Sequence, residues 1–249
     1  VNQKETPSAV PSKVDWPFAH QTWTGEQLAG AREIALRAND GYLDQFVEGH
    51  NLCPYAREGR RRNEAQRQVH FQTSSDLEQL LTLFLRCVDD PQCVVMQVIF
   101  PDLDVDPVAW IEFCHRVTKL GHRRRGGPDV MANAALHPAL AFHQATAYAL
   151  IPLFRRAPDP TIQWVRLTHL EKLYAGRAKG STFVDPAQII DFLQSKTNKS
   201  LYDRVAEANY ATAQQLGVAK LEQQLHALHL STKDSYRRMA RTGEPCLGG

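Results

Sequence analysis

The sequence predicts an α/β (or α+β) fold: a small mixed sheet of three to four strands covered by helices, followed by a helical C-terminal region. Three observations carry that expectation. Helical and strand-like patterns alternate between Thr24 and Pro138. The run Cys93-Val94-Val95-Met96-Gln97-Val98-Ile99-Phe100 is an almost unbroken series of β-formers between prolines, as in a central buried strand. From Ser200 onward only helical periodicity remains. At 249 residues and 43% hydrophobic, the chain is long enough to bury a substantial core.

Each element follows in order. Residues 1–15, polar and carrying Pro7 and Pro11, read as a flexible arm before an α/β domain over residues 16–180. Thr24 and Gln27 form a capping-box signature, and Leu28, Ala31, Ala35, Tyr42, Leu43, Phe46 and Val47 trace a helical face with an interruption at Asp40-Gly41. This helix ends near Asn51, because Pro54 disfavours a helical residue before it. Gln68 to Gln72 alternates as a half-buried strand. Ser75 and Glu78 make a second capping box, opening a helix stopped at Asp89-Asp90-Pro91. After the central strand, Asp106-Pro107 starts a helix that runs to Gly121.

Val130 to Leu136 reads as a third strand, Ala139 to Ile151 as a helix ended by Pro152, and Thr161 to Tyr174 as another helix. Pro186 to Leu193, Ser200 to Leu216, Ala219 to Leu230 and Thr232 to Arg241 are further helical segments. They form an extension over residues 181–242 packed on the domain, with a tail at 243–249. The apolar face of the last helices (Leu201, Val205, Ala208, Leu216, Leu221, Leu225, Leu228) is a candidate homodimer surface.

Composition excludes several classes. Twenty-nine basic against 27 acidic side chains leave a net charge of +2, which disfavours a general nucleic-acid binder. No stretch approaches the ~18 to 20 apolar residues of a membrane span. Five irregularly spaced cysteines without a C-x-x-C pair indicate neither a disulfide framework nor a zinc knuckle, and fit a cytoplasmic protein. Rossmann and Walker glycine patterns are absent.

The chemistry gathers at Asn51-Leu52-Cys53-Pro54-Tyr55-Ala56, followed by Arg57, Arg60, Arg61 and Arg62. A thiol beside fixed positive charge is stabilised as the nucleophilic thiolate. His50 is one helical turn away, and His137 closes the third strand, at the sheet end where α/β proteins bind ligands. Equally, a Cys-Pro can simply pack and stop a helix, and His137 can cap a strand end.

These blocks, together with Leu136-His137-Pro138 and Arg156-Ala157-Pro158-Asp159-Pro160 running on to Arg166, resemble the bacterial family known as domain of unknown function 1415. Its pattern is N-L-C-P-F-A, a central F-H-P, and N-R-S-P-Y-P continuing toward H-x-x-R. The family's serine, aromatic residue and histidine of the third block fall here at Ala157, Asp159 and Gln163. The resemblance covers roughly Thr24 to Tyr174 and implies where a site lies, not what it does.

The expected function is an enzyme acting on a small anionic, carboxylate- or phosphate-bearing molecule. Cys53 and His137 would be catalytic, and Arg57, Arg61, Arg156 and Arg166 would bind the substrate. The alternative is a haem protein with Cys53 or His137 as axial ligand and His143 nearby, because Cys-Pro dipeptides recur at haem-responsive sites. A non-catalytic binding module is the second alternative.

Overall fold

A computed structural model describes residues 18, 23–53, 55–71, 77–169 and 201–242. The first helix, α1 (Gly25–Gly41), starts as its capping box requires: Gln27 N–H donates to Thr24 Oγ1 at 3.3 Å, and Thr24 N–H donates to Gln27 Oε1 at 3.0 Å. At the expected interruption it does not break. It widens into a π-helical segment, Tyr42–Glu48, that turns Tyr42, Leu43, Phe46 and Val47 inward.

A short α2 (Ala56–Arg61) leads to β1 (Ala65–Val69), which begins three residues earlier than the alternation at Gln68 suggested. Then come α3 (Glu78–Asp89), β2 (Val95–Ile99), α4 (Pro107–Arg125), β3 (Met131–Leu136), α5 (Ala147–Phe154) and β4 (Thr161–Arg166). Two C-terminal helices follow, α6 (Leu201–Leu216) and α7 (Val218–Thr242). Asp106 caps α4 by accepting from Val108 and Ala109 N–H, with Pro107 in the first turn.

The sheet order is β1-β2-β4-β3, with β1 and β2 parallel and β4 antiparallel to both neighbours. This corrects the helix expected from Thr161. Thr-Ile-Gln-Trp-Val-Arg alternates and is rich in β-branched and aromatic residues, and it pairs along both edges, which gives its backbone groups strand partners on each side. The helix expected from Ala139 starts only at Ala147, capped by Thr146, and it runs through Pro152. In so short a helix the proline forfeits only the one bond its N–H would have made to Tyr148. The two helices expected after Ala219 are one, because Ser231 and Thr232 do not break it: the Thr232 hydroxyl donates back to Leu228 O at 2.8 Å. The break that does occur, between α6 and α7, falls at Gly217, whose φ of 87° suits glycine. The expected helix Pro186–Leu193 and the Ser75 cap lie outside the described residues.

Strand alternation gives the sheet two distinct faces. Met96, Val98, Met131, Ala135, Ile162 and Trp164 pack against Leu80, Phe84, Trp110, Phe113 and Val117 of α3 and α4. Those two helices approach closely at Gly121, where a Cβ would stand 2.3 Å from the Phe84 ring. The opposite face carries Arg67, Val95, Gln97, Ala134, Leu136, Gln163 and Val165. It is covered by the π-helical segment, α2, α5 and α6. Leu221 and Leu225 of α7 are buried with Tyr42, Phe46, Leu150 and Leu153, and Leu216 packs on the same cluster. Two residues of the apolar face expected to join two copies, Leu221 and Leu225, are thus spent on the chain's own core. Among the described residues no helix is long and apolar enough to cross a membrane.

Candidate functional site

A cavity of about 260 Å³, open to solvent at Cys53, lies between the sheet and the helices on this face. Its walls are apolar: Tyr42, Leu43, Val47 and Leu52 from the first helix and its exit, Ile151 and Phe154 from α5, Val205 and Ala206 from α6. Across the floor runs a polar row set by strand register, in which Arg67 pairs with Gln97 and Gln97 with Gln163. The two amides are joined at 2.8 Å, Gln97 Nε2 to Gln163 Oε1, and Gln97 Oε1 is buried with no hydrogen-bond partner. An amide row inside a ligand-sized cavity with largely apolar walls is the pattern of a recognition surface. Gln163 stands where the resemblance places the family's histidine.

Cys53 lines this cavity and is exposed. The chain delivers it there by closing the π-helical segment tightly. His50 N–H donates to Phe46 O, Leu52 N–H to Val47 O, and Asn51 takes a left-handed φ of 54°, a conformation asparagine tolerates. Leu52 is driven into the core as a plug and the next residue, Cys53, faces the cavity. His50 is tied to the last helix, its Nε2 lying 2.7 Å from Gln224 Oε1 on α7.

Arg155, absent from the sequence-based site, lines the same cavity. It follows α5, and its carbonyl accepts the His137 N–H at 2.9 Å, which ties it to the end of β3. Tyr42, whose hydroxyl donates to Phe154 O at 2.6 Å, reports on both groups. Burial raises its phenol pKa, the Arg155 guanidinium pulls it down, and Cys53 pushes it up. The guanidinium and the thiol are therefore both within electrostatic reach of one hydroxyl.

The residues expected to join Cys53 are placed otherwise. His137 follows Leu136, and strand alternation turns it to the other face of the sheet. There its Nε2 meets Val105 O at 3.1 Å and its Nδ1 accepts from Ala139 N–H. It does not line the cavity, so it shares no ligand there with Cys53, as catalyst or as axial partner. Burial lowers its pKa to about 4 and keeps the ring neutral. His143 is exposed near the start of α5, away from the lining. Among the described residues no group of three His, Cys, Asp or Glu side chains is placed to hold a metal ion.

None of the four arginines expected to bind substrate lines the cavity. Arg57 pairs with Glu48 at 3.4 Å and Arg61 grips Glu58 at 2.7 and 3.0 Å. Arg156 donates to Leu140 O and pairs with Glu222 at 3.0 Å, its guanidinium stacked on Phe142. Arg166 spends its guanidinium on the carbonyls of Cys87, Val88, Asp90 and Cys93. Besides Arg155, Arg60 and Arg67 line the cavity, and both are matched by an acidic stripe one helical turn apart. Arg60 meets Asp44 at 2.5 Å and Glu48 at 3.1 Å, and Arg67 meets Asp40 at 2.5 Å. The basic run beside Cys53 is thus largely neutralised by Asp40, Asp44 and Glu48. That stripe was readable as an i, i+4, i+8 spacing.

Comparison with known proteins adds one match. A family model described as a protein of unknown function, DUF1415, covers residues 35–182, more than half of the chain. No curated protein and no solved structure matches.

Proposed function

The chain belongs to the DUF1415 family, and we propose that it is an enzyme using the Cys53 thiol on a small molecule with an apolar body and one carboxylate or phosphate group. The observation that carries this reading is that Cys53 and Arg155 line one cavity. In it, the apolar walls accept the body of the substrate, and Gln97 and Gln163 orient its polar edge. Arg155 faces its anionic group and Cys53 supplies the nucleophile. His137 acts here through the backbone, by holding Arg155 at the end of β3.

Protection of the thiol tests the reading. Alkylation of Cys53 by iodoacetamide is followed by mass spectrometry in the presence of benzoate or phenyl phosphate. At least one of the two should slow the reaction in the native protein, and the protection should disappear in Arg155→Gln. If neither anion protects, or if protection survives the substitution, the cavity is not an anion-binding thiol site.

A further inference from the structure

On the far face of the sheet, two other cysteines lie closer together than any functional reading of the cavity requires. Cys87, in the last turn of α3, and Cys93, just before β2, are 1% and 0% exposed, with their sulfurs 3.0 Å apart. A disulfide needs ~2.05 Å, so about 1 Å of movement separates this pair from a covalent bond. We propose that Cys87 and Cys93 are a reversible dithiol–disulfide site oxidised by a peroxide.

The spacing is held from three sides. The turn between the two residues is closed by Cys93 N–H donating to Asp90 O at 3.0 Å and Gln92 N–H donating to Asp90 Oδ1 at 2.9 Å. Arg166 clamps both ends at once, through the carbonyl of Cys87 at 2.9 Å and that of Cys93 at 3.2 Å. β2 is pinned in the sheet between β1 and β4, so Cys93 cannot drift from the helix end. The pair is prearranged by the fold, where two cysteines six apart in a loop would not be.

The two sulfurs have different parts. The two thiols share one hydrogen bond in which either sulfur can donate; with Cys87 as the donor, its own pKa is pushed up and Cys93 is held below the ordinary thiol range. Cys93 is the attacking sulfur. Its thiolate forms an S–O bond to hydrogen peroxide, the O–O bond breaks, and the departing hydroxide leaves as water with the thiol proton. Cys87 sulfur then attacks the resulting sulfenic acid: the S–S bond forms, the S–O bond breaks, and a second water leaves with the Cys87 proton. In sum two thiols and one peroxide give one disulfide and two waters, the peroxide taking both electrons. A water-sized oxidant suits a buried pair that is reached through local opening of the α3–β2 turn.

The full chain, reduced and desalted, is treated with graded hydrogen peroxide, denatured, alkylated and digested by a protease that cuts before Asp89 and Asp90. That cleavage separates the two cysteines unless a disulfide joins them. The expected product is the linked Cys87–Cys93 pair, both cysteines leaving the alkylated pool to equal extent and returning with dithiothreitol. In Cys87→Ala, Cys93 should be trapped as a sulfenic acid by dimedone. In Cys93→Ala, Cys87 should stay alkylatable at the same dose. The proposal is overturned if both remain thiols at a dose that oxidises the exposed Cys53, if they end as separate sulfinic acids, or if Cys87 oxidises as readily without Cys93. Should either variant fail to fold, the native digest alone decides.

Discussion

Replacing Asp159 with Asn should give the protein a pH dependence that the native chain conceals. Asp159 is 3% exposed, accepting from Asp102 N–H at 2.9 Å and from the Tyr236 hydroxyl at 2.8 Å, and burial raises its pKa to about 6. Its unfolded value is ~3.9, so the folded state binds the extra proton between these limits and stability falls as pH rises from about 4 to 6. Two units at ~1.4 kcal/mol each make that loss ~3 kcal/mol. His137 does the reverse. Its pKa drops from ~6.5 unfolded to about 4 folded. The folded state therefore binds fewer protons, and stability rises by ~3 kcal/mol over nearly the same interval.

The two slopes oppose each other in the native protein. Asn at position 159 keeps both hydrogen bonds, because the Tyr236 hydroxyl can reverse and accept, but it removes the titration. Urea unfolding at pH 4.5, 5.5, 6.5 and 7.5 should show Asp159→Asn gaining ~2 kcal/mol relative to the native chain between the lowest and highest values. His137→Gln should show the opposite relative slope. Curves of variant and native protein that run parallel within ~0.5 kcal/mol would refute the burial argument for both groups.

Two further outcomes follow from packing. Gly121→Ala should cost ~1 to 3 kcal/mol in chemical unfolding, because its methyl group meets the Phe84 ring and forces α3 and α4 apart. Arg166→Met should cost ~2 to 4 kcal/mol by abandoning four carbonyls at the α3–β2 junction. It should nevertheless leave the alkylation rate of Cys53 unchanged at temperatures where the variant is folded. A change in that rate would mean that Arg166 serves the cavity after all.

Much of the fold is legible where a local signal meets no competitor. The Thr24 box, the Asp106-Pro107 start and the central strand at Val95–Ile99 are each set by their own few residues. Thr161–Arg166 is not, since a short apolar alternation fits either period until β2 and β3 pair with it. The π-helical widening after Gly41 has no sequence signature, yet it sets the approach of Cys53. The candidate site was half visible for a related reason. Cys53 was found from its motif, but the partner of each arginine depends on packing. Arg155 and Arg156 are neighbours that point to different surroundings, and only one of them lines the cavity. Gln97, a lone amide in a buried apolar run, is the sequence's own mark of the polar cavity floor.

The central claim, that Cys53 and Arg155 serve one anion-binding cavity, is tested most directly by comparing two alkylating agents of similar size. Iodoacetate carries a negative charge and iodoacetamide does not. A positive charge ~4 Å from a bound anion is worth ~1 kcal/mol even in water, about a fivefold advantage for the charged reagent. The ratio of the iodoacetate to the iodoacetamide rate at Cys53, relative to that of a free thiol, should therefore exceed unity about fivefold in the native chain. It should return to about one in Arg155→Gln. A native ratio at or below that of the free thiol, or one that Arg155→Gln leaves unchanged, would contradict the account.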